Sequence, residues 1–344
     1  MGVAITDLIV KKDIDVKELE NKVLIVDTPM WLYQFLSSIR QRDGSSLTDS
    51  NGMVTSHLIG LFSRIPNLMK KGLLLAFVFD GEKPELKRRE LERRKGIKLE
   101  AMKKYEDAVK KKDVEGMKKF ASRTSRLSKE MIDEAKKLIK ALGLPVIDAP
   151  SEAEAQAAYI VKRGDGFAVA SNDADALLFG ATRLVRNLSI LGKRKKINKL
   201  AYGTVKPEMI KLDENINHLG IEHDQLIILS MLVGTDYNPG GIKGIGPKNA
   251  LKLVKEFKDD PEGLFKQVKW GEFFEFPWTE VFYLIKKMKV TNDYELEWKV
   301  ADTDMLVKML VERHDFSKER VMKTVDELNK DKKEKMQKGL GEFI

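Results

Sequence analysis

Lys22-Val-Leu-Ile-Val26 running into Asp27, and Leu73-Leu-Leu-Ala-Phe-Val-Phe79 running into Asp80, decide the fold. Continuous apolar runs of this length, rich in Val, Ile and Leu, read as strands buried on both faces of a parallel sheet. Two further segments repeat the pattern. Pro145-Val-Ile147 leads through Asp148 to Glu152 and Glu154, and Phe167-Ala-Val-Ala170 is followed by Asp173 and Asp175. Between the first two strands lie apolar helical stretches, Met30 to Ile39 and Ser56 to Met69, with Pro29 suited to a first helical position. Parallel strands need such a crossover, so residues 22–80 form a βαβ unit. The expected fold class is α/β, a mostly parallel central sheet flanked by helices. In open sheets of this kind the site lies outside the carboxyl ends of the strands, where these carboxylates gather. Gathered carboxylates repel one another unless a cation neutralises them. Oxygen ligands without Cys or abundant His indicate Mg²⁺ or Mn²⁺.

The chain has 344 residues, with 62 Lys and Arg against 53 Asp and Glu and a net charge of +9. A basic balance around an acidic, metal-loaded pit favours a polyanion such as nucleic acid, and hence phosphodiester chemistry. There is no Cys, which excludes disulfides, thiolate nucleophiles and a Cys-based zinc site; no pair among the four scattered His has His-x-x-x-His spacing, which disfavours a zinc hydrolase. No apolar run reaches membrane-spanning length and no signal peptide is visible, so a cytoplasmic, nucleoid-associated protein with no membrane partner is expected.

Residues 83–119 carry 15 basic and 8 acidic residues, a local net charge of +7. Sparse apolar residues at helical spacing (Leu86, Leu91, Ile97, Met102, Tyr105, Val109) make these exposed helices leaving the sheet directly after Asp80. A merely solvated charged helix pair fits the composition equally well. Met131 to Leu142 reads as an amphipathic helix ending at Gly143. Ser151-Glu-Ala-Glu154 fits a capping box, so Glu154 reads either as a cap partner or as part of the acidic pit. Asp173 and Asp175, two apart, converge in extended or turn geometry. Arg183 to Ile190 reads as a further strand, Gly192-Lys-Arg-Lys-Lys196 as a basic turn, and Tyr202 to Val205 as a strand pairing back.

Asp224 to Val233 and Ala250 to Phe257 read as helices flanking Gly234-Thr-Asp-Tyr-Asn-Pro-Gly-Gly-Ile-Lys-Gly-Ile-Gly-Pro-Lys-Asn249. The stretch Gly241 to Gly246 resembles a helix-hairpin-helix. Its glycines permit sharp turns and close approach of backbone N–H groups to phosphate. Gly244, Gly246 and the positive start of the next helix face the anion, while Lys243 and Lys248 add charge without reading bases. The phosphate loop of nucleotide hydrolases fails here, because Pro247-Lys248-Asn249 follows Gly246. The dinucleotide fingerprint fails for want of a Gly at Asn249. Asp236 precedes the hairpin and can join the pit.

These blocks together resemble the flap endonucleases, structure-specific 5′ nucleases of DNA replication and repair, and most closely the archaeal type. The likeness runs from Met1-Gly-Val3 to the C-terminus. It is carried by Val78-Phe-Asp-Gly81, Ala149-Pro-Ser-Glu-Ala-Glu-Ala-Gln-Ala-Ala-Tyr159, Asp173-Ala-Asp-Ala-Leu-Leu-Phe-Gly180, Leu184-Val-Arg-Asn187 and Gly234 to Gly246. The resemblance implies two Mg²⁺ ions, replaceable by Mn²⁺, held by Asp27, Asp80, Glu152, Glu154, Asp173, Asp175 and Asp236. It implies that Lys87 and Arg94 reach the scissile phosphate, with Asp80 and Glu152 also catalytic. It implies that Tyr33 stacks on a base, and that Gly2 and Arg40 contact DNA. The basic helices become an arch that gates a 5′ flap. Gln337-Lys-Gly-Leu-Gly-Glu-Phe-Ile344 resembles a sliding-clamp motif through Gln337, Leu340 and Phe343, with Ile344 replacing the last aromatic. Other departures from the family pattern are Thr28-Pro29-Met30-Trp31 after Asp27, Lys83 where a Pro is common, and Asn172 and Ala174 around Asp173.

The expected layout is a nuclease domain over 1–82 and 131–325, including a helix-hairpin-helix at about 224–257. An arch is expected at 83–130 and a clamp-binding tail at 326–344. A monomer acting on branched DNA is expected. The alternatives are a related 5′ exonuclease of repair and a non-catalytic DNA-binding clamp accessory. An aspartyl phosphatase is disfavoured because Asp27-Thr-Pro29 lacks the Asp-x-Asp nucleophile.

Overall fold

A computed structural model of the chain describes residues 5–111, 113–121, 124, 126–195 and 202–341. For Val114, Lys118, residues 193–195 and 202–204, and everything beyond residue 330, only the backbone is described. Nine strands are present among these residues: β1 Lys12–Asp13, β2 Val23–Asp27, β3 Leu74–Phe79, β4 Val146–Asp148, β5 Ala168–Ala170, β6 Arg183–Arg186, β7 Gly192–Lys195, β8 Tyr202–Val205 and β9 Glu208–Lys211. Seven of them form one sheet in the order β1-β9-β6-β5-β2-β3-β4. The five central strands are parallel, and β9 and β1 close one edge antiparallel. Strands β7 and β8 make a separate antiparallel hairpin.

The helices are α1 Thr28–Ser38 and α2 Ser56–Met69 between β2 and β3; α3 Arg88–Lys110, α4 Val114–Ala121 and α5 Lys129–Ala141 between β3 and β4; and α6 Ala153–Arg163 before β5. They continue with α7 Asp175–Leu178, α8 Leu212–Leu219, α9 His223–Val233, α10 Pro247–Glu256, α11 Pro261–Gln267, α12 Trp278–Lys286, α13 Thr303–Leu306 and α14 Lys318–Gly341.

Alternate residues of each central strand point to opposite faces, and both faces are buried. Leu24, Val26, Leu75, Phe77 and Phe79 pack with Leu32 and Phe35 of α1, Leu61 of α2 and Leu138 of α5. Ile25, Ala76, Val78 and Val169 pack on the other side with Ile160 of α6 and Leu229 of α9. The chain runs outward from β2 to β3 and β4, then returns to β5 on the other side of β2. The point where strand order reverses therefore lies between β2 and β5, whose register pairs Val26 with Ala170. Open sheets bind ligands at this crevice, and Asp27 and Asp173 stand on its two sides.

One glycine brings two acidic segments together. Gly81 N donates to Ser151 O at 2.7 Å, and a Cβ on Gly81 would lie 2.1 Å from Ala149 O. Only a residue without Cβ lets the chain after β3 press this closely on the segment after β4.

The structure corrects four expectations. Helix α6 is capped by Glu152, not Ser151, so no Ser151–Glu154 capping box forms; Ser151 Oγ instead donates to Glu82 O at 3.0 Å. Strand β6 stops at Arg186, because Asn187 adopts φ +66° and turns the chain into a 3₁₀ turn at Leu188–Ile190. Gly192–Lys195 is a strand of the hairpin and not its turn. Pro29 is the second helical residue, since α1 begins at Thr28.

Candidate active site

Five segments deliver carboxylates to the crevice. Asp27 is the last residue of β2 and the N-cap of α1, 4% exposed, with Ser171 Oγ 3.1 Å from its Oδ2. Asp80 follows β3 directly, and its Oδ1 accepts from the Ala153 backbone N–H at 2.9 Å. That bond ties the end of β3 to the first turn of α6, which carries Glu154, beside the Glu152 cap. Asp173 lies in the turn after β5, accepting from the Ala174 N–H at 2.9 Å, and Asp175 begins α7. Asp236 sits in the loop between α9 and α10.

Their electrostatics show how close they stand. Burial, then repulsion by Asp80 and Asp173, pushes the Asp27 carboxyl up to about 7, against the Ser171 hydrogen bond. Burial, then Asp175, Asp27 and Asp173, raises Glu154 well above the usual carboxylate range. Asp173 is raised by burial, with Asp236 adding repulsion. The buried Tyr237 hydroxyl is pushed up by burial and by Glu152, Asp175, Glu154 and Asp236. Repulsion thus links Asp27 with Asp80 and Asp173, Glu154 with Asp27, Asp173 and Asp175, and Asp173 with Asp236.

Basic side chains hold one flank. Lys87 Nζ donates to Glu152 Oε2 at 2.7 Å and lies 3.2 Å from Asp236 Oδ2. Burial works against its charge, but Glu152 and Asp236 outweigh it and hold the ammonium above its usual range. Arg94 donates through one Nη to Asp236 Oδ1 at 2.5 Å. Lys83, noted above only as a departure from the family pattern, pairs with Asp80 and comes within 3.7 Å of Glu152.

The donor set fits a divalent cation. It is all oxygen, Asp27 and Glu152 are buried and the other five half-buried, its members repel one another, and Glu152 Oε1 is a buried atom with no hydrogen-bond partner. Among the described residues, however, no three carboxylates converge as placed into a group able to hold an ion. Lys83, Lys87 and Arg94 engage Asp80, Glu152 and Asp236 instead.

Tyr33, on α1, is 42% exposed, and Lys98 Nζ lies 4.8 Å above its ring. Arg40 follows α1 and donates to Gly44 O at 2.9 Å. Lys243, Gly244, Gly246 and Lys248 are exposed on the loop and helix start at 243–248. That loop is pinned from inside by buried Asn238. Its Oδ1 accepts from Thr235 Oγ1 at 2.6 Å and its Nδ2 donates to Met231 O at 2.7 Å. Gly240, Gly241 and Gly244 take positive φ there. Gly2 and Phe343 lie outside the described residues. Gln337 and Leu340 fall on the helical backbone of α14, with their side chains outside the description.

A model of the XPG N-terminal domain matches residues 1–101, and a model of the XPG I-region matches residues 143–236. Flap endonuclease 1 of Thermofilum pendens is 49% identical over 332 residues, covering 96% of this chain and 95% of that protein. The chain belongs to the flap endonuclease family. Flap endonuclease 1 of Pyrococcus horikoshii is 47% identical over 96% of this chain and 94% of its own length. The solved flap endonuclease-1 from Methanococcus jannaschii is 40% identical, with a TM-score of 0.75 over 96% of this chain and 98% of that one. The catalytic core of Rad2, at 24% identity and a TM-score of 0.70, shares the fold. As a member of the family, the chain is a nuclease. Residues that sequence reasoning missed around its pit are Lys83 as an ion-pair partner, Ser171 between Asp27 and Glu154, and Met30, whose Sδ receives the Asn172 N–H at 3.0 Å. The last joins two positions that depart from the family pattern, a hint visible in the sequence.

Proposed function

We propose that this flap endonuclease removes 5′ flaps at single-/double-strand junctions of DNA and also acts as a 5′→3′ exonuclease, using Mg²⁺, with Mn²⁺ able to substitute. The observation that carries the proposal is the gathering of mutually repelling carboxylates, buried or half-buried, at the strand-order switch, flanked by Lys87 and Arg94. Asp27, Asp80, Glu152, Glu154, Asp173, Asp175 and Asp236 would hold the cations. Two such cations, when bound, would promote attack by water and neutralise charge on the leaving oxygen. Lys87 and Arg94 would exchange carboxylate partners for the scissile phosphate, neutralising and orienting it. Tyr33 offers an exposed ring for a base released from its pair.

In the proposed layout, residues 1–82 and 131–325 form the nuclease domain. Helices within 83–130 act as an arch over a 5′ flap, and 224–257 act as a helix-hairpin-helix on duplex phosphates through Lys243, Gly244, Gly246 and Lys248. Gly2 and Arg40 are further DNA contacts. The tail at 326–344 would recruit a sliding clamp through Gln337, Leu340 and Phe343, and the enzyme acts as a monomer. The test presents one labelled strand as flap, nick, overhang and bubble, with Mg²⁺ or chelator. Cutting near the flap junction, abolished by chelator, is expected. Equal cutting of all four forms, or cutting in chelator, contradicts the proposal; stepwise release from nicks alone marks the related exonuclease.

A further inference from the structure

We infer that Glu90 is a positioning residue for cleavage, fixing the Arg94 guanidinium at the mouth of the acidic pit. Glu90 is 3% exposed on a helix whose other charges are largely solvated. Its Oε1 accepts from Arg94 Nε at 2.6 Å and from an Arg93 Nη at 2.8 Å, and its Oε2 accepts from Arg93 Nε at 2.7 Å. Spacings of three and four residues stack these groups on one helix face. Arg94 is therefore held at both edges of its fork, Nε by Glu90 and an Nη by Asp236.

The consequence is directional. A guanidinium prefers to meet a carboxylate with two parallel N–H bonds. Without Glu90, Arg94 is free to turn a full edge onto Asp236, deeper in the pit, where it competes for a carboxylate assigned to the cations. With Glu90 in place, Arg94 keeps one contact to Asp236 and remains releasable toward a phosphate. Arg93 completes the arrangement by neutralising both oxygens of Glu90. Hydrogen bonds from Arg93 and Arg94 keep that carboxyl below its usual range and therefore ionised. Glu90 bonds to Arg93 and Arg94 and acts through Arg94.

The inference rests on the reading that Arg94 serves cleavage, and a double-mutant cycle separates the two. Single-turnover rates on a saturating flap substrate with Mg²⁺ are measured for the full chain, Glu90→Gln, Arg94→Ala and the double variant, with binding followed by fluorescence anisotropy. Glu90→Gln should slow cleavage by about 10- to 100-fold, the cost of a misplaced group, with a smaller change in affinity. In the Arg94→Ala background the same substitution should change the rate by less than about twofold, because the coupling has already been removed. A general folding defect would appear equally in both backgrounds. Additive losses, a wild-type rate for Glu90→Gln, or a loss confined to binding would each overturn the role of Glu90. A wild-type rate for Arg94→Ala would overturn the reading beneath it.

Discussion

Replacing Asp27 by Asn should make the metal-free protein more stable while destroying its activity. Asp27 is buried at the end of β2 and faces Asp80 and Asp173, so its carboxyl is raised from 3.8 to about 7. The sign follows from linkage. Between those two values the folded chain holds a proton that the unfolded chain has released, so stability falls as pH rises from about 4 to about 7. At roughly 1.4 kcal/mol per pH unit, this side chain costs the fold about 4 kcal/mol at pH 8 and less than about 2 kcal/mol at pH 5. Asn is isosteric, can still accept from Ser171 Oγ and carries no charge. Its stabilising effect in chelator should therefore be several kcal/mol at pH 8, raising Tm on the order of 5 °C or more, and should shrink by more than half at pH 5. Added Mg²⁺ should stabilise the parent chain more than the variant, and flap cleavage by the variant should fall by orders of magnitude. Thermal melts at the two pH values, with and without Mg²⁺, measure all of this. A variant less stable than the parent at pH 8 in chelator, or a gain independent of pH, would refute the electrostatic reasoning.

Three further outcomes follow from other parts of the molecule. Gly81→Ala places a methyl 2.1 Å from Ala149 O, so it should cost several kcal/mol, as overpacking against backbone does, and should lower cleavage more than DNA affinity. Asn238→Ala leaves Met231 O and Thr235 without their buried partner; it should cost about 2–4 kcal/mol and weaken duplex binding, as read by melts and anisotropy. Glu134 is buried against His57, whose Nε2 lies 3.4 Å from its Oε2, and against His314 and Arg313, which lie 3.2 and 3.0 Å from its Oε1; burial opposes its charge, but these neighbours hold its carboxyl below the usual range. That stability is present at neutral pH and lost as acid protonates the group, so Glu134→Gln should destabilise at pH 7 and approach parent stability in acid. A pH-independent effect would contradict the assignment.

The strands that carry the site were legible because they are buried on both faces: β2 and β3 are unbroken apolar runs, and their terminal Asp residues stand out against them. The edge was not legible. β1 is two exposed residues paired with β9, some 195 positions later, and nothing local in Lys12-Asp13 marks a strand. The reading of Ser151 as a helix cap failed because its backbone carbonyl is taken by Gly81 and its hydroxyl by Glu82, contacts set by how β3 and β4 end side by side. Asp236 was reachable only through its glycine-rich neighbourhood, since its place depends on Asn238 anchoring the loop. Glu90 was hidden among the many charges of α3. Its spacing to Arg93 and Arg94 was visible, but not its burial, which requires knowing that this face of α3 turns toward the pit.

The most direct test of a cation-holding pit is anomalous diffraction from crystals soaked in MnCl₂. Two peaks, about 3.5–4 Å apart as in two-metal hydrolases, are expected among Asp27, Asp80, Glu152, Glu154, Asp173, Asp175 and Asp236, with Lys83 and Lys87 drawn away from their carboxylate partners. Absence of Mn²⁺ density between these residues, with Lys87 still on Glu152 and Asp236, would contradict the central claim.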